Sequence, residues 1–261
     1  MITMLKSLYM SIKACVRLTS NMSYSELFEI SLGLKQGEPL SPLLFILFIN
    51  DITEHIDFDN LSESDIDQLS IYMLLFADDI ALFTTSPVSL QAQLDSISNY
   101  STACGLKINV NKTKICVFEK RRRQNNYVFY IYGQQVEIVD SFCYLGIKFY
   151  YTGNMRYAIK ALSDQALKAY HSLLCLFNNI KLDVKTKLSL FDALVVPILL
   201  YGSEIWGIYN YKDIDNLHCK FLKIILGVKQ STPNVAVLGE TGRYPLSVLC
   251  KERSIIYWLK L

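Results

Sequence analysis

The stretch Ile71-Tyr-Met-Leu-Leu-Phe-Ala-Asp-Asp-Ile-Ala-Leu-Phe83 holds two adjacent acids, Asp78 and Asp79, within an otherwise apolar run. A buried carboxylate without a partner costs several kcal/mol or shifts its pKa until it is neutral. The two acids therefore lie at an exposed turn or face something positive. Because two short apolar runs flank them, the pattern predicts a β-hairpin with Asp78 and Asp79 at or near its turn.

Composition limits the class of protein. The chain has 261 residues, of which 51% are apolar, and its mean hydropathy is +0.24. No stretch reaches about 18 uninterrupted apolar residues and the N-terminus lacks a signal-peptide layout, so we predict an intracellular protein without a membrane span. Seven scattered cysteines without a C-x-x-C pair favour reduced thiols. A net charge of +2 means that any basic surface for nucleic acid must be local.

The texture of the chain changes near residues 151–154. Residues 1–150 alternate short apolar runs with loops rich in Gly and Pro, which predicts an α+β region. Within it, Ser41-Pro42 and Ser86-Pro87 each pair an N-cap residue with a first-turn proline, which predicts helices over 41–55 and 87–103. Residues 151–261 carry apolar residues at helical spacing, so we predict an all-helical second domain.

Strands are predicted between the second helix and residue 150. Ile108 to Phe118 reads as a strand with a polar loop inside it, and a second hairpin is predicted around Gly133. Phe142 to Phe149 reads as one further strand.

Two carboxylates at a rigid hairpin turn make a good site for a hard cation. Mg²⁺ prefers oxygen ligands and is often held by one or two carboxylates together with substrate phosphates and water. Two such ions can clamp the attacking and leaving oxygens of a phosphoryl transfer. The alternative is that Asp78 and Asp79 are simply a favourable turn pair.

Four blocks of the sequence together resemble the reverse transcriptases of non-LTR retrotransposons. In order, they are Gly33-Leu-Lys-Gln-Gly-Glu-Pro-Leu-Ser-Pro-Leu-Leu-Phe45 continuing to Ile52, Phe76-Ala-Asp-Asp79, Gly105-Leu-Lys-Ile-Asn-Val-Asn-Lys-Thr-Lys114, and Tyr144-Leu-Gly-Ile147. The tail also resembles the region downstream of such polymerases, at Pro197 to Trp206, Leu238-Gly-Glu240 and Pro245-Leu246. Group II intron maturases are near relatives of these enzymes, but Leu34-Lys-Gln-Gly-Glu38 and Tyr201-Gly-Ser-Glu-Ile-Trp206 resemble the retrotransposon motifs more closely.

The resemblance implies an RNA-directed DNA polymerase with two Mg²⁺ ions, an RNA template, a DNA primer and a dNTP. It makes Asp78 and Asp79 the catalytic, metal-binding residues. The residues implied in nucleotide or template binding are Gln36, Gly37, Pro39, Leu40, Ser41, Pro42, Lys112 and Lys114, and those of the primer grip are Tyr144, Leu145 and Gly146. The alternatives are an ordinary capped loop at 36–42 and an exposed turn lysine at 112 or 114, and the sequence does not choose between the two lysines.

A basic run, Lys120, Arg121, Arg122 and Arg123, is a candidate for phosphate contacts, because basic clusters bind nucleic-acid backbones without reading sequence. Its alternatives are a solvated turn and a nuclear-localisation signal. The compartment, nuclear or cytoplasmic, stays open.

One expected feature is missing. Polymerases of this kind take a third carboxylate from an upstream palm motif, yet residues 1–32 contain no Asp, and their only acids are Glu26 and Glu29. We therefore expect an α+β, incomplete palm over 1–150, in which one antiparallel sheet carries the 41–55 and 87–103 helices on one face. It would lack the fingers and first catalytic Asp and be followed by a helical thumb and extension over 151–261. Such a chain would bind Mg²⁺ weakly and be inactive alone. The alternatives are a non-catalytic nucleic-acid-binding remnant and a helical interaction protein.

Overall fold

A computed structural model defines most of the chain. It describes residues 2–10, 12–17, 23–30, 33–35, 37–55, 65–66, 69–70, 73–119, 127–209 and 212–261. The chain forms two compact units, one made of Met1–Ile108 with Tyr130–Gly133, the other of Asn109–Phe129 with Gln134–Leu261. The domain boundary predicted near residue 150, between a partial palm and a helical thumb, stays a prediction.

The first unit combines three helices with short strand pairs. Its elements are α1 (Ile2–Tyr9), β1 (Ile12–Ala14), β2 (Phe28–Ile30), α2 (Ser41–Phe48), a 3₁₀ turn (Ile52–His55), β3 (Asp65–Ile66), β4 (Leu69–Ser70), β5 (Met73–Phe76), β6 (Asp79–Leu82) and α3 (Pro87–Ala103). Helix α2 ends earlier than predicted, and the 3₁₀ turn follows it. The predicted N-cap of α3 is confirmed, since the Ser86 side chain accepts a hydrogen bond from the Ser89 N–H.

A small apolar cluster holds this unit together. Ile52 of the 3₁₀ turn packs against Ile97 and Tyr100 of α3, and all three are buried. Met73 and Leu82, which are partners in the β5–β6 ladder, pack against the same cluster. The hairpin is therefore anchored to α3 at the end far from its turn.

The second unit begins with strands and continues with helices. Its elements are β7 (Lys114–Ile115), β8 (Phe129–Ile131), β9 (Gln134–Ile138), β10 (Ser141–Tyr144), β11 (Ile147–Tyr150), α4 (Arg156–Asn179), α5 (Val184–Leu194), α6 (Val196–Leu199), α7 (Ser203–Trp206), α8 (Lys212–Ile225), α9 (Asn234–Thr241) and α10 (Leu246–Trp258). The tip of the β8–β9 hairpin, Tyr130–Gly133, groups with the first unit. There the Gln91 amide bonds to the backbone N–H and C=O of Tyr130, at 3.0 and 2.9 Å.

The strands do not form the single antiparallel sheet that the sequence suggested. Those that the structure describes make four separate antiparallel pairs, β1–β2, β3–β4, β5–β6 and β10–β11, and one three-stranded sheet in the order β7-β9-β8. Within that sheet β7 and β9 run parallel. The α+β class is confirmed, and the predicted second hairpin around Gly133 is present. Phe142 to Phe149 is a hairpin rather than one strand, and the Ile108–Phe118 segment is extended only at β7.

Aromatic stacking dominates the core of the helical part. Phe191 of α5 stacks on Phe221 of α8 with ring centroids 3.9 Å apart, and Tyr170 of α4 meets Phe221 edge-on at 5.6 Å. The ring of His218 is also stacked with that of Phe191, with centroids 5.7 Å apart. All four rings are buried, so helices α4, α5 and α8 share one core. Among the described residues, no helix is both long and apolar enough to cross a membrane.

Candidate active site

The two acids of the opening motif lie at the turn of the hairpin, as predicted. In the β5–β6 ladder Phe76 pairs with Asp79, so Ala77 and Asp78 are the two turn residues and Asp79 begins β6. Ala77 has a φ of 53°, in the half of conformational space that favours glycine. For a residue with a Cβ, this left-handed backbone conformation costs about 1–2 kcal/mol. The turn is thus strained beside the two carboxylates, and such strain clusters at functional sites.

Both carboxylates are exposed. No group of three or more His, Cys, Asp or Glu suited to a metal ion occurs within the described part of the chain. Two adjacent exposed carboxylates nevertheless fit Mg²⁺, because this ion commonly takes only one or two protein carboxylates and completes its shell with phosphates and water.

The hairpin strands also expose apolar side chains around the acids. Leu74, Phe76 and Ile80 are 43%, 59% and 38% exposed, whereas their neighbours Met73 and Leu82 pack inward. A two-stranded hairpin with an exposed apolar face is marginally stable by itself.

The loop before α2 is braced by α1. The Tyr9 hydroxyl donates to Oε2 of Glu38 at 2.8 Å, and Nζ of Lys35 lies 5.5 Å from the centre of the Tyr9 ring. Ser41 was predicted to be the N-cap of α2, and this prediction is wrong. Ser41 is the first helical residue, and its Oγ donates to the Lys35 carbonyl at 2.7 Å, so it closes the loop instead.

The predicted template- and nucleotide-binding residues occupy this braced loop. Gly37, Pro39 and Pro42 are exposed, and Leu40 is half-buried. Gln36 lies outside the described residues. Of the five described residues only Ser41 is buried, so the other four leave the loop surface open to a ligand.

A partly buried hydrogen bond joins the segment after α2 to α3. The Tyr100 hydroxyl donates to Oδ1 of Asp51 at 2.6 Å, and burial together with this bond raises the pKa of Tyr100. The ring of His55 lies 5.1 Å from that of Tyr100. Because the hairpin packs against the apolar cluster that includes Tyr100, α3 supports both the loop helix and the acid-bearing strands.

The structure distinguishes the two candidate lysines. Lys114 lies opposite Glu137 in the parallel β7–β9 pair, and its Nζ forms a 2.5 Å ion pair with Oε2 of that residue. Lys112 is exposed in a turn organised by Asn109, whose side-chain and backbone oxygens both accept from the Lys112 N–H. Among the described residues no ion pair involves Lys112, so its ammonium group is available to an anionic ligand.

The predicted primer-grip residues form the tip of the hairpin β10–β11. Tyr144 pairs with Ile147, and Leu145 and Gly146 make a two-residue turn with φ values of 48° and 80°. Positive φ at both positions defines the turn type that matches the strand twist but disfavours leucine. Sequence reasoning missed Tyr201, whose hydroxyl donates to the Leu145 carbonyl at 2.6 Å. The remaining candidates, Lys120, Arg121, Arg122 and Arg123, lie outside the described residues.

The family model for reverse transcriptase (RNA-dependent DNA polymerase) matches residues 2–149, so the chain belongs to the reverse transcriptase family. That match includes the hairpin with Asp78 and Asp79, the loop before α2 and the β10–β11 turn.

Curated relatives extend the likeness beyond this region. The chain is 27% identical over 236 residues to the Pol polyprotein of a type-1 retrotransposable element of Popillia japonica, which covers 85% of this chain and 32% of the relative. It is 25% identical over 216 residues to the RNA-directed DNA polymerase from mobile element jockey of Drosophila melanogaster, covering 78% of this chain and 23% of the relative. It is 30% identical over 140 residues to the Pol polyprotein of a type-2 retrotransposable element of the same fly, covering 51% and 13%. The chain thus spans a third or less of the length of these three relatives.

Proposed function

We propose that the chain supplies the catalytic acid pair, the nucleotide-binding loop and the primer grip of an RNA-directed DNA polymerase of a non-LTR retrotransposon. The observation that carries this proposal is the placement of Asp78 and Asp79 at the strained, exposed turn of a hairpin whose opposite end packs against α3. The family match and the names of the relatives support the same activity.

The two carboxylates would hold Mg²⁺, with substrate phosphates and water as the other ligands. Bound there, the metal supplies charge stabilisation for the transferred phosphoryl group and lowers the pKa of the attacking hydroxyl. The ladder positions Asp79 and the two-residue turn positions Asp78, so little reorganisation is needed when substrate arrives. The exposed loop from Gly37 to Pro42 lies on the same unit and would face the incoming nucleotide and template.

Lys112 is the better candidate for a contact with the triphosphate. Lys114 is already neutralised by Glu137, whereas Lys112 is exposed on an ordered turn. An ammonium group placed against a phosphate oxygen stabilises charge that develops on the leaving group. A Lys112→Met variant should therefore lose more dNTP affinity than Lys114→Met.

Charge is distributed unevenly along the sequence. Residues 151–261 hold fourteen Lys and Arg against eight Asp and Glu, a net charge of +6, whereas residues 1–150 have a net charge of −4. A positive surface binds phosphate backbones without regard to sequence and weakens as salt rises. This favours nucleic-acid binding by the helical region, in an active enzyme or in the second candidate, a non-catalytic nucleic-acid-binding remnant.

Primer extension on an RNA template with Mg²⁺ and dNTPs tests the proposal. The chain is compared with its variants Asp78→Asn and Asp79→Asn, alone and co-expressed with an upstream segment of a related element that carries the missing Asp motif. Asp164→Asn, an exposed carboxylate on α4, controls for the change of charge. We expect extension with the segment present, a loss of at least about 100-fold in both hairpin variants, and no change in the control.

Extension that persists in both hairpin variants would contradict the proposal. Binding to a primer–template that weakens with salt, without extension under any condition, would instead support the non-catalytic remnant.

A further inference from the structure

Two consecutive residues after α6 touch three consecutive residues of the hairpin β10–β11. The Tyr201 hydroxyl donates to the Leu145 carbonyl at 2.6 Å, and a Cβ added to Gly146 would lie 3.2 Å from Cε1 of the Tyr201 ring. Gly202 continues the contact, because a Cβ there would lie 3.0 Å from Cδ1 of Ile147. The tip of the hairpin is thus enclosed on one side by the backbone and ring of the segment between α6 and α7.

The segment that carries Tyr201 is itself fixed to the core. Trp206 is fully buried, and its Nε1 donates to the Tyr201 carbonyl at 2.9 Å. Gly202, with a φ of 69°, is the N-cap residue of α7, so the helix begins directly after Tyr201 and Gly202. The buried indole therefore fixes the backbone from which the Tyr201 ring extends to the hairpin.

The turn needs such a partner, since its conformation is unfavourable for one of its two residues. Leu145 has a φ of 48°, which leucine rarely adopts, and its side chain is 37% exposed. The carbonyl that accepts from Tyr201 belongs to this strained residue. A hydrogen bond to that oxygen favours the one orientation of the peptide group that the structure shows.

We infer that Tyr201 is a positioning residue for the primer grip: it holds the Leu145–Gly146 turn in the orientation that contacts the nucleic-acid strand. This inference rests on the proposed function, because the turn matters for polymerisation only if it binds the primer. Tyr201 is 47% exposed and Leu145 remains accessible, so a strand lying on the turn would meet both residues. The tail motif from Pro197 to Trp206 thereby acquires a role in presenting the grip.

The test is the affinity of the purified chain for an RNA-template–DNA-primer duplex, measured by fluorescence anisotropy. Tyr201→Phe removes only the hydroxyl, and Tyr244→Phe is the matched control because Tyr244 is 77% exposed. We expect Tyr201→Phe to weaken binding about fivefold, as the loss of one neutral hydrogen bond implies, and the control to bind like the parent chain. Amide hydrogen exchange without nucleic acid should be at least about fivefold faster at Gly146 and Ile147 in Tyr201→Phe, with the α4 amides unchanged.

A third variant separates the inference from the proposed function. Leu145→Asn introduces a residue that tolerates positive φ and removes the apolar tip of the grip, so it should weaken primer–template binding if the grip is real. If Leu145→Asn weakens binding while Tyr201→Phe changes neither affinity nor exchange, the positioning inference is overturned and the grip stands. If exchange quickens in Tyr201→Phe but neither variant alters binding, the turn is not a primer grip, and both the assignment and the inference built on it fall.

Discussion

Among the glycines that the structure describes, Gly207 leaves the least room for a side chain. This residue follows α7, where a Cβ would overlap Oγ of Ser254, the carbonyl of Cys250 and the carbonyl of Ser203. Two of these three atoms are backbone oxygens, which cannot rotate away. Gly207→Ala must therefore separate α7 from α10 or distort one of them.

Overpacking of this kind costs about 1–3 kcal/mol, and we expect the upper half of that range because backbone must move. Gly239, in α9, provides the matched control. Like Gly207 it has no positive φ, but a Cβ there meets nothing within 4 Å. Gly239→Ala should stabilise by about 0.5–1 kcal/mol, because alanine favours the helix over glycine.

Urea unfolding followed by circular dichroism measures both changes, and thermal unfolding should show Gly207→Ala about 5–10 °C below the parent chain. If the two variants unfolded at the same urea concentration, the close approach of α7 and α10 at Gly207 would be refuted.

Three further predictions concern buried groups. Burial, and next the charge of Arg243, lowers the pKa of His218 to about 4, so the folded state binds its proton only below that value, whereas the unfolded chain binds it near 6.5. Stability should therefore be complete above pH 6.5 and fall by about 3 kcal/mol towards pH 4, and His218→Phe should remove most of this slope in urea titrations. Burial raises the pKa of the Cys250 thiol to about 12, so this thiol should not react with iodoacetamide in the folded chain. Mass spectrometry should find the exposed Cys143 alkylated in the native chain and Cys250 alkylated only after unfolding. Equal rates of alkylation at the two cysteines would contradict the burial of Cys250. Tyr100→Phe should destabilise the first unit by about 1–2 kcal/mol through loss of the bond to Asp51, and unchanged hydrogen exchange in α3 would argue against that bond.

The sequence predicts features that depend on neighbours along the chain. The Asp78–Asp79 hairpin follows from two apolar runs and a polar turn, and the cap of α3 follows from Ser86-Pro87. The helical character of the second half follows from spacing alone, because an amphipathic period needs no knowledge of the partner helix.

Features set by distant residues could not be predicted in this way. A serine next to the start of a helix is predicted to cap it. The Ser41 hydroxyl instead donates its hydrogen bond to the Lys35 carbonyl, six residues earlier in the chain. Tyr201 lies 56 residues from Leu145, and no local pattern pairs them. The alternation of apolar and polar residues likewise predicts where strands lie but not which strands pair with each other. The described strands therefore form five small sheets, although one antiparallel sheet was expected.

If the turn of the β5–β6 hairpin is a divalent-cation site, paramagnetic Mn²⁺ should bind there and reveal itself in the NMR spectrum. In an ¹⁵N-labelled chain, substoichiometric Mn²⁺ should broaden the amide signals from Phe76 to Ile80 first, and excess Mg²⁺ should restore them. The broadening should vanish in Asp78→Asn and persist in Asp164→Asn. Signals of the hairpin turn that broaden no sooner than those around Asp164 would show that the acid pair holds no metal and is only a favourable turn.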